Sequence, residues 1–176
     1  MPFRYLEIQP NSTPASGKIS HARGFPNITM TIGRQNAVLD MASVRVCGKI
    51  NIWTDAAGTL HPVSGGTATN LTASAKLGIY GVMDQVVWRH AETKQVAEHI
   101  RHYQRLCGSL IPTMSSKADC IGHLSQSALI TNNHASFKSS VIQNAGESSF
   151  CVPLPCGMTL GGNKVPLNSL PLDLEI

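Results

Sequence analysis

The sequence predicts an all-β fold, two antiparallel sheets packed as a sandwich, and three observations carry that expectation. Short runs of apolar and polar residues alternate with period two along much of the chain. Segments rich in Gly, Pro, Ser and Asn separate those runs. Only one stretch repeats its apolar residues at helical spacing. About eight strands and one short amphipathic helix result, a pattern typical of a two-sheet sandwich.

Arg4 to Ile8 is a weak first strand, and "QPNSTPASGKISHARG" after it reads as an extended arm, giving an N-terminal arm over 1–24 and a β domain over 25–176. In "NITMTIG", Ile28, Met30 and Ile32 alternate with Thr29 and Thr31, and Gly33 ends the run. "VRVCGKINIW" is the strongest strand: Val44, Val46, Ile50 and Ile52 face one way, and Arg45, Cys47, Lys49 and Asn51 the other. Gly48 falls on the apolar face, so it marks a close approach or a bulge. "TDAAGTLHPVSGGTATN" reads as a long loop and "LGIYGVM" is ambiguous, while "DQVVWRH" alternates as a strand.

From Thr93 to Cys107 the spacing predicts a helix. Val96, Ile100, Tyr103 and Cys107 recur at i, i+4, i+7 and i+11, with Thr93 as N-cap and Gly108 as C-cap. "PTMSSKADCIGHLSQ" is a loop, and "SALITNN" and "FKSSVIQN" are moderate strands. "SSFCVPLP" sets Phe150, Val152 and Leu154 on one face, and "GMTLGGNKVP" is a turn region. The closing "NSLPLDLEI" alternates Leu170, Leu172, Leu174 and Ile176 with Pro171, Asp173 and Glu175. So regular a row must be covered, and central pairing within its own sheet is the expectation. The buried set should include Val44, Val46, Ile50, Ile52, Phe150 and Val152.

Composition narrows the function. Charged residues make up only 14% of the chain against roughly a quarter in an average domain. Such a surface suits dense packing against identical neighbours. The net charge of +4 is too small to indicate nucleic acid by itself. It is uneven: Arg89, Lys94, Arg101 and Arg105, with His90, His99 and His102, face only Glu92 and Glu98 in one segment. Five cysteines at scattered spacing, without a leader-like apolar segment, suggest reduced thiols in an intracellular setting. The sequons at Asn11, Asn27 and Asn70 then carry no meaning. No window approaches the roughly 18 apolar residues of a membrane span.

Motifs of catalysis are scarce. Cys151 and Cys156 stand five apart around two prolines without a second tight pair, so buried thiols explain them better than zinc. His99 and His102 would share one helix side, yet the H-E-x-x-H spacing is absent, and a solvated or interface-facing basic surface is the plainer reading. There is no G-x-S-x-G elbow and no P-loop; "TLGGNK" is a turn. Asp40, Asp55 and Asp84 sit at strand or turn boundaries. Phe25, Trp53, Trp88 and Phe150 fall in or beside apolar patterns and read as core, not as a stacking platform for bases. Nothing here calls for an enzyme or a cofactor.

The order of the landmarks carries a resemblance. "FPNITMTIGRQNAVLDMASVRVCGKINIW" resembles the opening of the first jelly roll in double-jelly-roll viral major capsid proteins, the lineage of adenovirus hexon, nucleocytoplasmic large DNA viruses and polinton-like viruses. "GVMDQVVWRH", the helix after it, and "SSFCVPLPCGMTLGGNKVPLNSLPLDLEI" are similar to that barrel's side and end. The likeness spans roughly residues 25 to 176 and implies a second jelly roll beyond Ile176. It further implies a virion shell protein, assembled inside the infected cell as a homotrimer of pseudo-hexameric outline alongside other capsid proteins. The N-terminal arm would then touch membrane or genome non-specifically, with no small-molecule substrate. Arg89, Arg101, His102 and Arg105 are the candidate subunit-contact surface. The alternatives are a lectin-like β-sandwich using its long loops for a ligand and, third, a cupin-like metalloenzyme.

Overall fold

The computed structural model describes residues 4–11, 27–50, 77–116, 124, 127–130 and 149–176, with the backbone of 53–56, 59–62 and 148. The protein is mostly β, as the alternation predicts. Ten strands occur among the described residues: β1 Thr29–Ile32, β2 Val38–Asp40, β3 Arg45–Ile50, β4 Trp53–Ala56, β5 Thr59–Pro62, β6 Gln85–His90, β7 Val96–Arg101, β8 Ser148–Pro153, β9 Lys164–Pro166 and β10 Leu172–Glu175. Two α-helices have all their residues described, α1 Tyr103–Met114 and the single turn α2 Gly157–Leu160. All pairing is antiparallel.

The chain divides into two compact units built from interleaved segments. The first comprises Met1–Ala42, Asp84–Arg101 and Cys156–Ile176; the second comprises Ser43–Met83 and His102–Pro155.

The first unit holds a four-stranded sheet in the order β1-β10-β6-β7 and the short ladder β2-β9. Its closing strand is central, as expected, although of the apolar row only Leu172 and Leu174 are buried; Leu170 is exposed and Ile176 half-buried. Leu172 and Leu174 are buried, opposite Ile32 and Met30 on β1 and opposite His90 and Trp88 on β6. Val86, Val87 and Trp88 are buried in succession, so both faces of β6 are shielded at the middle of the sheet. Beside β1, Asn11 donates its backbone N–H to the Thr29 carbonyl at 2.7 Å. The expected strand over Arg4–Ile8 is absent: those residues are irregular, and Tyr5 is 94% exposed.

The second unit contains the ladders β3-β8 and β4-β5 and the helix α1. β3 alternates as predicted, with Arg45, Cys47 and Lys49 exposed between half-buried Val46, Gly48 and Ile50. Gly48 marks a close approach. It pairs with Phe150, whose Cζ would lie 2.9 Å from a Cβ at this position. Only Val152 of the expected buried set is fully enclosed; Val44, Val46, Ile50 and Phe150 are half-buried, and Ile52 lies outside the described residues. Alternation reports which face a residue takes, and a two-stranded ladder covers that face less completely than a broad sheet. Among the described residues the unit's enclosed apolar side chains are Ile79, Tyr80, Met83, Tyr103, Cys107, Ala128, Ile130, Val152 and Leu154. Tyr80 donates its hydroxyl to the Pro153 carbonyl at 2.8 Å, and burial pushes its phenol pKa up, with Cys107 adding to the rise and Arg45 opposing it.

The helix expected over Thr93–Cys107 is the main correction. Its first half is the strand β7, hairpinned to β6, and α1 begins only at Tyr103. Val96 and Ile100 are four residues apart, a spacing that satisfies period 2 as well as period 3.6. β6 needs a ladder partner on this side, and His102 takes a left-handed conformation (φ 53°) that separates strand from helix. Tyr103 and Cys107 do share the buried helical stripe. Gly108 is interior to α1, where Leu77 packs against it, and not a C-cap.

Smaller differences follow the same logic. "LGIYGVM" holds a 3₁₀ turn over Gly78–Val82, and "GMTLGGNKVP" contains α2 and β9 in place of a simple turn. β4 and β5 occupy the beginning of the predicted long loop, and Trp53 opens β4 instead of ending β3. Ser127 to Ile130 form no strand, while "FKSSVIQN" lies outside the described residues.

Candidate subunit-contact surface

The four residues singled out from the sequence do not share a helix face. Arg89 and Arg101 belong to strands of the first unit, His102 and Arg105 to the second. Arg101 ends β7 opposite Gln85 and is exposed. His102 is exposed at the left-handed junction, and its carbonyl accepts the Arg105 N–H at 2.8 Å; the Arg105 side chain is also exposed. Arg89 differs from these three. It is half-buried on β6 and spends its guanidinium on Glu175, 3.2 Å away across the ladder.

Arg89 is part of a polar row that sequence reasoning missed. On β10, Asp173 alternates with the buried leucines, yet it too is only 4% exposed. Its carboxylate accepts the Thr31 hydroxyl at 2.6 Å and the Lys94 ammonium at 2.7 Å. Burial alone pushes this carboxyl up. The hydrogen bonds from Lys94 and Thr31, with the charges of Lys94 and Arg89, outweigh it and hold the pKa below the usual carboxylate value. Asn11 extends the row by donating its side-chain amide to Thr31 at 2.7 Å. At the other end, Glu175 accepts from Gln85 Nε2 at 3.2 Å, and His99 Nε2 lies 3.4 Å from Gln85 Oε1.

The β6–β7 turn is what delivers Lys94. His90 Nδ1 faces the backbone N–H groups of Glu92 and Thr93 at 3.2 and 3.1 Å, and Lys94 adopts φ 59° with its N–H on the His90 carbonyl. Arg34 reaches Glu92 at 2.7 Å from the end of β1. The signal for this arrangement was the lone acid in an apolar row, Asp173, although nothing local named its partners. Lys94 lies 79 positions away and Thr31 142 positions away.

Among the described residues no group of three or more His, Cys, Asp or Glu side chains stands close enough to hold a metal ion. His99 is on a strand and His102 at the start of α1, so the helical i, i+3 relationship does not exist. Glu98 caps α2 by accepting from Gly157 and Met158. Cys107 and Cys156 are buried, as expected of small apolar side chains. Cys47 and Cys151 correct the expectation of reduced thiols, and Cys151 also that of a buried one. They are exposed, face each other in the β3-β8 register and form a disulfide. Among the described residues no helix is long and apolar enough to cross a membrane.

No family model, no curated protein and no solved structure matches this chain.

Proposed function

We propose that this protein is a structural building block that self-associates, a jelly-roll capsid protein whose role is assembly and not catalysis. The observation that carries the reading is the nested order of strand pairing. β1 pairs with β10, β2 with β9 and β3 with β8, so early strands meet late ones in reverse order. A jelly roll is a long antiparallel hairpin rolled up in this manner. The charge-poor composition agrees, since a surface destined for contact with copies of itself carries fewer charges than a lone soluble domain. In this reading the chain forms trimers with pseudo-hexameric outline, joins other capsid proteins in a virion shell, and uses Arg101, His102 and Arg105 at subunit contacts. The half-buried Arg89–Glu175 pair belongs to the sheet itself.

Size-exclusion chromatography with light scattering on the purified chain, followed by negative-stain imaging, tests the proposal. A trimer or larger closed assembly is the expected result. A strict monomer across a hundredfold range of concentration would overturn it and favour a lectin-like binding module.

A further inference from the structure

We propose that Cys47 and Cys151 form a reversible, solvent-accessible redox site that takes small thiol reductants and locks β3 to β8. Three features of the second unit support it. Both cysteines lie on the exposed face of the ladder, while Gly48, Phe150 and Val152 occupy the enclosed side. A reductant therefore reaches the sulfurs without disturbing the core. Cys47 and Cys151 are also direct register partners. The neighbouring pairs Val46–Val152 and Gly48–Phe150 hold the two strands together, so opened thiols stay facing each other and can close again. Finally, Arg45 and Lys49 flank Cys47 at two residues on either side, on the same exposed face. Neighbouring cations favour the thiolate, the species that attacks and leaves in disulfide exchange.

The chemistry balances with a monothiol such as glutathione. Its thiolate attacks one sulfur of the pair, the Cys47–Cys151 bond breaks, and the leaving sulfur takes a proton. A second glutathione attacks the mixed disulfide and frees the other cysteine. Two glutathione thiols become one glutathione disulfide, and Cys47 and Cys151 gain two electrons and two protons. The closed link joins positions 104 residues apart, so opening it releases a long loop constraint on the unfolded chain. Among the described residues the other cysteines, Cys107 and Cys156, are buried and should not compete.

The test uses the full chain under native conditions, equilibrated at graded ratios of glutathione to glutathione disulfide, quenched, alkylated and peptide-mapped. Cys47 and Cys151 should pass together from linked to labelled within that range, and return to linked on reoxidation. Cys107 and Cys156 should stay unlabelled until the protein is denatured. Reduction should lower the thermal midpoint to that of the Cys47→Ser/Cys151→Ser variant, whose own midpoint should not respond to glutathione. The Arg45→Gln/Lys49→Gln variant should alkylate at the reduced pair roughly threefold more slowly near neutral pH, because neighbouring cations favour the thiolate. An oxidised native protein with Cys47 and Cys151 unlinked would overturn the proposal. A link that resists excess glutathione until denaturation would do the same, and so would a midpoint unchanged by confirmed reduction. An unaltered rate in the double Gln variant would remove the role of the two cations.

Discussion

Glu98 Oε1 lies 2.7 Å from the backbone nitrogen of Gly157, and Glu98 Oε2 lies 2.8 Å from that of Met158. One carboxylate on β7 thus satisfies two N–H groups at the start of α2, 59 and 60 positions away in the chain. A Cβ at 157 would stand 2.9 Å from Glu98 Oε1, so the carboxylate end must shift to admit one. Glu98→Ala should cost about 1–3 kcal/mol by leaving both donors without their acceptor. Gly157→Ala should cost less, because the flexible end of Glu98 can shift to admit the methyl. The double variant should cost less than the sum, since both changes disturb one interaction. Urea unfolding of the three variants measures the coupling; strict additivity would refute it.

Asp173 predicts an acid-sensitive first unit. Its folded pKa is depressed, so the carboxylate contributes stability that is present above the unfolded value and lost as pH falls through the folded one. With the unfolded value near 3.9, stability should begin to decline around pH 4 and continue to fall below it. Asp173→Asn should flatten that acid limb. Lys94→Met should cost about 1–3 kcal/mol near neutral pH, by depriving a buried carboxylate of a charged donor. Denaturant midpoints collected between pH 2 and pH 7 would show both effects.

Introducing a carboxylate should separate enclosed from half-covered positions of the second unit. Val152→Asp should abolish its folding, because Val152 is fully buried and an unpaired charge there costs several kcal/mol. Ile50→Asp should be milder, since Ile50 is only half-buried opposite Ser148 at the end of the ladder. Circular dichroism melts of the pair test the ranking; equal loss would mean that β3 is covered more fully than its exposure indicates.

Removing the chain from Asn168 onward should leave the first unit unable to fold. The deletion takes away β10, the strand to which both β1 and β6 hydrogen-bond. A truncated protein that stays monodisperse and resists proteolysis would contradict the central place of this strand.

Reversing the exposed charges with Arg101→Glu/Arg105→Glu should reduce assembly while changing monomer stability by no more than about 0.5 kcal/mol. Sedimentation velocity reads the first effect and thermal melting the second. Unaltered assembly would show that these side chains only face solvent.

Local pattern carried much of this protein and then ran out at identifiable places. Alternation in 28–32, 44–50, 85–90, 148–154 and 170–176 is a property of consecutive residues, because successive side chains on a strand point to opposite faces. It therefore identified these strands, the covered Leu172 and Leu174 of the closing row and the close approach at Gly48 without reference to any partner. From Val96 to Cys107 the same evidence was degenerate. A four-residue spacing fits strand and helix alike, and only the open side of β6 made the first half a strand. The candidate contact surface shared that fate: Arg89, Arg101, His102 and Arg105 are close in sequence, but the Arg89 guanidinium reaches Glu175, diagonal to its register partner Asp173, and the other three are exposed. The pairings of Asp173 with Lys94 and Thr31, of Cys47 with Cys151, and of Glu98 with Gly157 were decided by tertiary structure alone. Each joins residues far apart in the chain, and which atoms meet depends on strand order and register, which no short window of sequence contains.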